Sequence, residues 1–168
     1  MNVRLVLVGL IAGLTSFVGM TAIAVAGPDG SDNGTMCVLN TKLAPENEVR
    51  TTPNTSVASG HAQVKVRNDG TTELKSFVMN PAGEVFNRAH IHGPAGTTAN
   101  AGIVIDFLEA GVPVASLSDE TITFMADGRP RAAAPANIGE LLCQSPQLYY
   151  LNFHSTAELG GAIRGQLG

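Results

Sequence analysis

The chain has 168 residues, a length that suits one domain of ordinary size. Hydrophobic residues make up 44% and charged residues only 14%, which excludes a disordered polyelectrolyte and a coiled coil. A formal net charge of −4, the lack of a basic run and an aromatic content of 5% exclude a nucleic-acid-binding surface. The 19 glycines and 9 prolines favour many short strands and turns over long helices.

The amino terminus has the pattern of an export signal. Arg4 precedes an apolar stretch that runs from about residue 5 to residue 26, and Ala24-Val25-Ala26 resembles a small-residue cleavage site. We therefore predict a signal peptide over residues 1–26 and a periplasmic or extracellular protein. The alternative is an uncleaved membrane anchor, because the stretch is near the length that a bilayer requires. After cleavage we expect no transmembrane segment.

The remaining part begins with a polar, glycine-containing leader over residues 27–36, and we predict one domain over residues 37–168. It contains two cysteines, Cys37 and Cys143. An even count in an exported chain predicts a disulfide between them, and two buried free thiols are the alternative. Neither cysteine lies in a CxxC motif, so redox catalysis and thiolate metal binding have little support.

Short strands follow in series along the domain. The clearest is a hairpin, in which Ala62, Val64 and Val66 alternate with polar residues and Gly70 supplies the turn. The predicted strands cover residues 37–43, 62–67, 71–79, 85–92, 103–107, 121–125, 148–154 and 162–167. Residues 127–135 are predicted as a loop and residues 136–144 as a short helix. This pattern predicts an all-β fold, an antiparallel sandwich or barrel of about seven or more strands with one short helix.

Alternation along three of these strands places polar residues on one side. Residues two apart in a strand share a face, so each of these strands has one apolar and one polar side. If the strands are neighbours, the polar sides form a single patch. Its predicted members are Arg88, His90, His92, Asn152, His154 and Arg164.

Three histidines of this patch form a candidate metal site. The Cα atoms of His90 and His92 are expected roughly 6.5–7 Å apart, so both imidazoles can converge on one ion, and His154 can complete the set. Imidazole ligands suit copper or zinc. The alternative is a hydrogen-bonded polar network without metal. We favour the network, because Arg88 and Arg164 add positive charge and the sequence places no carboxylate beside the histidines.

Catalytic patterns are weak. Ser155 follows His154 directly, and adjacent strand residues point to opposite faces, so the two do not make a nucleophile–base pair. Asp106 lies in an apolar run, but no second carboxylate can be placed beside it. His61 is predicted to be a surface residue. The sequence therefore favours a protein that is not an enzyme, and no catalytic residue is assigned.

Four segments of the chain resemble the CHRD domain, a module named for chordin. They are AHIHGPA at residues 89–95, NAGIVI at 100–105, YYLNFHS at 149–155 and GAIRGQL at 161–167. The resemblance implies a β-sandwich-like extracellular domain without accepted catalytic activity. One departure is Ala162, where the family usually carries Glu, so Arg164 loses an expected salt-bridge partner.

The function implied by this resemblance is that of an exported, non-enzymatic module. It would bind a protein or an envelope component, or serve as a structural part of the envelope or matrix. Separately, His90-Ile91-His92 is similar to the copper-binding motif of copper-zinc superoxide dismutases. That match covers three residues and lacks the zinc ligands, so the metalloprotein remains the alternative, by analogy only.

Overall fold

The computed structural model describes residues 34–108 and 117–168. The predicted signal peptide and most of the predicted leader therefore lie outside the described residues. A short helix, α1, spans Ile138–Gln144, and 3-10 turns cover Pro45–Asn47 and Pro146–Leu148. The strands are β1 (Thr35–Leu43), β2 (Ser59–Arg67), β3 (Thr72–Met79), β4 (Phe86–His92), β5 (Ile103–Leu108), β6 (Thr121–Pro130), β7 (Tyr150–Ser155) and β8 (Ile163–Gln166).

The strands form one antiparallel sheet in the order β1-β2-β3-β6-β5-β4-β7-β8. The two edge strands of the sheet, β1 and β8, approach each other where Ala44 and Arg164 exchange two backbone N–H···O bonds of 3.1 Å. We call this contact the seam. Gly165 allows this approach, because a Cβ there would lie 2.3 Å from Thr41 Oγ1. The sheet is thus a nearly closed, barrel-like structure, and the predicted all-β antiparallel fold with one helix is confirmed.

The predicted hairpin is β2 and β3. Val64 and Leu74 face each other across it and are fully buried. The turn contains Gly70 with φ of 82°, a left-handed conformation that glycine adopts without steric cost. Burial alternates along both strands, because every second residue belongs to the core.

Helix α1 packs against the β1–β2 end of the sheet through Ile138 and Leu142, both buried. The disulfide between Cys37 and Cys143 fixes it there, with Cα atoms 5.8 Å apart. The predicted pairing is therefore confirmed, and the free-thiol alternative is wrong.

Several predicted boundaries are wrong, and the largest difference is in β6. Residues 127–130 belong to β6 instead of a loop, because this strand changes partners along its length. Asp127 and Gly128 pair with β3, and Arg129 and Pro130 pair with β5. Polar side chains there reflect exposure on one face, not loss of pairing. The helix also begins at Ile138, two residues later than predicted, and β7 begins at Tyr150.

Candidate functional site

Three histidines from two neighbouring strands meet at one place. His90 and His92 lie on β4, and His154 lies on β7 directly beside it. Their exposed fractions are 2%, 8% and 8%. One ring nitrogen from each can be chosen so that all three lie within 4.8 Å of one another. We call these residues the histidine group; the structure brings its three members together as the strand faces predicted.

Backbone carbonyls fix two of the rings. His92 Nδ1 lies 3.0 Å from the Ala101 carbonyl oxygen, and His154 Nδ1 lies 2.9 Å from that of Leu159. A carbonyl oxygen can only accept a hydrogen bond, so each neutral ring carries its proton on Nδ1. The Nε2 atoms of both rings are therefore unprotonated and can accept a hydrogen bond or bind a metal ion.

His90 has a choice of two partners. Its Nδ1 lies 3.3 Å from His154 Nε2, and its Nε2 lies 3.3 Å from Asp106 Oδ1. The second carboxylate oxygen of Asp106 pairs with Arg131. A neutral His90 ring has one N–H, which can point at the imidazole or at the carboxylate but not at both.

Burial keeps these rings neutral. It is the largest cause that lowers the pKa of His90 to about 3 and that of His92 to about 4. The pKa of His154 is also lowered, first by burial. Neighbouring imidazoles and the charge of Arg88, which lies opposite His154 on β4, act in the same direction.

Arg164 is buried behind Tyr150 instead of beside an imidazole. Its guanidinium carbon lies 3.4 Å from the centre of the Tyr150 ring, and that ring stacks on His92 at 4.9 Å. Arg164 also donates to the carbonyls of Gly96 and Ala99 at 2.9 and 3.1 Å. These carbonyls supply the hydrogen-bond acceptors of the buried Arg164 guanidinium.

Asn152 belongs to a neighbouring polar cluster. Its Nδ2 donates to Glu48 Oε2 at 3.2 Å. Burial raises the pKa of Glu48 to about 7, although the charges of Arg164 and Arg50 lower it. The six residues predicted as one patch are thus separated: three form the histidine group, Asn152 and Arg164 act on Glu48, and Arg88 lies opposite His154 on β4.

Sequence reasoning missed Asp106, Arg131 and Glu48 as parts of this region. Asp106 carried a usable signal, because it is the one charged residue in the apolar run of β5. Its exposed fraction is 3%, and a buried carboxylate requires partners. The prediction that no carboxylate stands beside the histidines is therefore corrected.

A second feature is a groove of about 660 Å³ on the outer face of β1, β2, β3 and β6. Gln63 Nε2 donates to Asn40 Oδ1 at 3.1 Å, and the His61 and Phe77 rings stack at 5.6 Å. Among the described residues that line it, none is acidic. Those that point outward include Asn40, Lys42, His61, Gln63, Lys75 and Phe77.

All three lysines of the chain, Lys42, Lys65 and Lys75, lie on this outer face. Lys42 and Lys75 line the groove, whereas Lys65 lies one row away, opposite Glu73. The prediction that His61 is a surface residue is confirmed, and its stacked partner Phe77 is also exposed. A chain with net charge −4 thus presents a cationic groove on one side.

Comparison with known proteins decides the family. The CHRD domain family matches residues 39–167. The chain belongs to the CHRD domain family. No curated protein and no solved structure gave a match. Within the described residues of this CHRD domain, no helix is long and apolar enough to span a bilayer.

Proposed function

We propose that this CHRD domain acts outside the cytoplasm as a non-enzymatic binding module for acidic polysaccharide of the envelope or matrix. The observation that carries the proposal is the cationic groove lined by Lys42, Lys75 and the stacked His61–Phe77 pair. The proposed location rests on the signal-like amino terminus and the disulfide between Cys37 and Cys143, which suits an oxidising compartment.

The chemistry of the groove fits a carboxylated sugar chain. Lysine ammonium groups attract carboxylates, and the carboxamides of Asn40 and Gln63 can pair with sugar hydroxyls. The exposed Phe77 ring offers an apolar face to the C–H side of a pyranose. Charge, amide and ring chemistry occur together in one groove, and a sugar polymer with acidic groups uses all three.

Other anionic polymers use less of the groove. An extended acidic peptide binds best along a free strand edge, and the groove lies on a face whose strands are already paired. Nucleic acid requires a broader positive field than two lysines in a chain of net charge −4. The proposal therefore commits to a polysaccharide that carries carboxylates.

Titration of the purified protein with polygalacturonate tests this function. Binding is expected to weaken as salt rises, because the lysines are exposed and screened. The double variant K42Q/K75Q should weaken binding roughly tenfold, from about 0.7 kcal/mol for each exposed charge pair. K65Q is the control for the single variants K42Q and K75Q, since each removes one charge from the same face. K65Q lies outside the groove and should change binding less than about twofold, whereas K42Q and K75Q should each weaken it about threefold.

Neutral dextran and poly-glutamate provide the discriminating arms. Preference for polygalacturonate over both supports the proposal. Equal binding of poly-glutamate would show that the groove recognises negative charge without regard to the sugar. No binding of polygalacturonate would reject the sugar ligand. Sequencing of the amino terminus after export tests the location separately, with cleavage after Ala26 as the expected result.

A further inference from the structure

We propose that His90, His92 and His154 form a copper-binding site inside the domain. The site goes beyond the polysaccharide function, because it is buried on the side of β4 and β7 opposite their core residues, whereas the groove lies on β1, β2, β3 and β6. Its ligands would be three neutral imidazole nitrogens, Nδ1 of His90 and Nε2 of His92 and His154.

His92 and His154 already present their Nε2 atoms for metal binding. Both rings donate Nδ1–H to a backbone carbonyl, at 3.0 Å to Ala101 and 2.9 Å to Leu159. Such a bond leaves Nε2 as the metal-binding atom and fixes the ring orientation, which is the usual arrangement around protein metal ions. Two of the three ligands are therefore oriented before any ion arrives.

His90 would bind the ion through Nδ1, because Asp106 can accept a hydrogen bond from its Nε2–H. When an ion takes the lone pair of His154 Nε2, His90 can no longer donate to that atom. Asp106 Oδ1, at 3.3 Å from His90 Nε2, is then the acceptor that remains. The proton moves to Nε2 and His90 Nδ1 becomes the third ligand. Asp106, held by Arg131 on its other oxygen, is thus a positioning residue for His90.

Two buried polar atoms at the histidine group lack a hydrogen-bond partner within the described part of the chain. His92 Nε2 and Asp106 Oδ1 are buried without a hydrogen-bond partner among the described residues. Buried polar atoms of native proteins are nearly always paired. One ion bound by the three imidazoles would satisfy His92 Nε2 directly, and the tautomer shift it induces in His90 would place an N–H on the nitrogen that lies 3.3 Å from Asp106 Oδ1.

The separations between the imidazole nitrogens can be compared with those around a bound metal ion. Nitrogens at about 2.0 Å from one ion lie roughly 3.3 Å from one another in the tetrahedral geometry typical of zinc, and adjacent ones lie roughly 2.8 Å apart in the tetragonal geometry typical of Cu²⁺. His90 Nδ1 and His154 Nε2 already stand 3.3 Å apart, and the full set lies within 4.8 Å. The longer separations, up to 4.8 Å, would have to shorten by up to about 1.5 Å when an ion binds.

The ligand set favours copper over zinc. Nitrogen sites hold Cu²⁺ more tightly than Zn²⁺ in the general order of divalent metals. Three neutral ligands also supply no negative charge to the ion, and the nearby carboxylate of Asp106 is already paired with Arg131. Such a site suits the monovalent state of copper as well, because one positive charge costs less to bury than two.

Titration of the full chain with Cu²⁺, and separately with Zn²⁺, tests the proposal. One copper per chain is expected, with an electron paramagnetic resonance spectrum that shows several imidazole nitrogens. Bound copper should raise the Tm of the protein and of H61A, the matched control for a histidine outside the group. H92N should lose copper binding. Zinc is expected to bind more weakly.

Three results would overturn the copper site. They are no stoichiometric copper, an oxygen-dominated spectrum, or equal copper binding by H92N. If H92N does not fold, D106N serves as the second variant, since it keeps all three ligands and should lower copper affinity by about 10- to 100-fold. Polygalacturonate binding is measured in parallel, so failure of the copper site and failure of the groove are read independently.

Discussion

The histidine group and the outer groove place similar residue types in opposite surroundings. In the histidine group, each imidazole is buried and its hydrogen bonds are made by fixed backbone or side-chain atoms. In the groove, His61 is exposed and its ring contact is a stack on Phe77. Identical side chains therefore act as parts of the fold in one region and as free surface in the other.

This difference decides which substitutions the fold tolerates. Removal of a buried partner leaves another polar atom without a bond, whereas removal of an exposed side chain leaves only water in its place. Changes around the histidine group should thus alter stability, and changes in the groove should alter ligand binding alone. Three predictions, ordered by expected effect, test this contrast.

The largest effect is expected from C37S/C143S. The disulfide closes a separation of 106 residues and holds α1 against β1, so its loss should cost about 2–5 kcal/mol of unfolding free energy. Urea unfolding of the oxidised and variant proteins measures the difference. A loss well below 1 kcal/mol would mean that packing of Ile138 and Leu142 holds the helix without the bridge.

D106N should have an intermediate effect. An amide keeps the shape of Asp106 but removes the charge that pairs with Arg131, so we expect a loss of about 1–3 kcal/mol in unfolding free energy. K65Q, on the outer face, should stay within about 0.5 kcal/mol of the parent. Equal losses of unfolding free energy in D106N and K65Q would contradict the proposed difference between the buried histidine group and the exposed groove.

E48Q should produce an effect that is visible only as a change with pH. Since burial raises the pKa of Glu48 from 4.5 to about 7, the folded chain holds a proton there that the unfolded chain releases. The contribution of Glu48 to stability is therefore fully present below about pH 4.5 and is lost as pH rises through about 7.

Urea unfolding at pH 5 and pH 8 checks this sign. The unfolding free energy of E48Q relative to the parent should increase between the two pH values, because glutamine has no proton to release. E46Q, at an exposed neighbouring position, should show no such increase. A constant difference between E48Q and the parent would contradict the prediction.

The sequence was sufficient to predict which side chains share a face of a strand, but not which strands pair with each other. Alternation identified the polar sides of β4 and β7, and the Cys37–Cys143 pairing followed from compartment and count. The role of Asp106 depends on the pairing of β5 with β4, which contains two register shifts that no local pattern encodes. The length of β6 was missed because its exposed polar end resembled a loop.

The seam between Ala44 and Arg164 has a consequence for behaviour in solution. Outer strands of a sheet normally offer unpaired N–H and C=O groups on which another chain can assemble. Here these groups of Ala44 and Arg164 bond to each other, and Gly165 lets the two strands come close enough. A missing side chain at one position thus leaves fewer backbone groups of the two edge strands open to pairing with another chain.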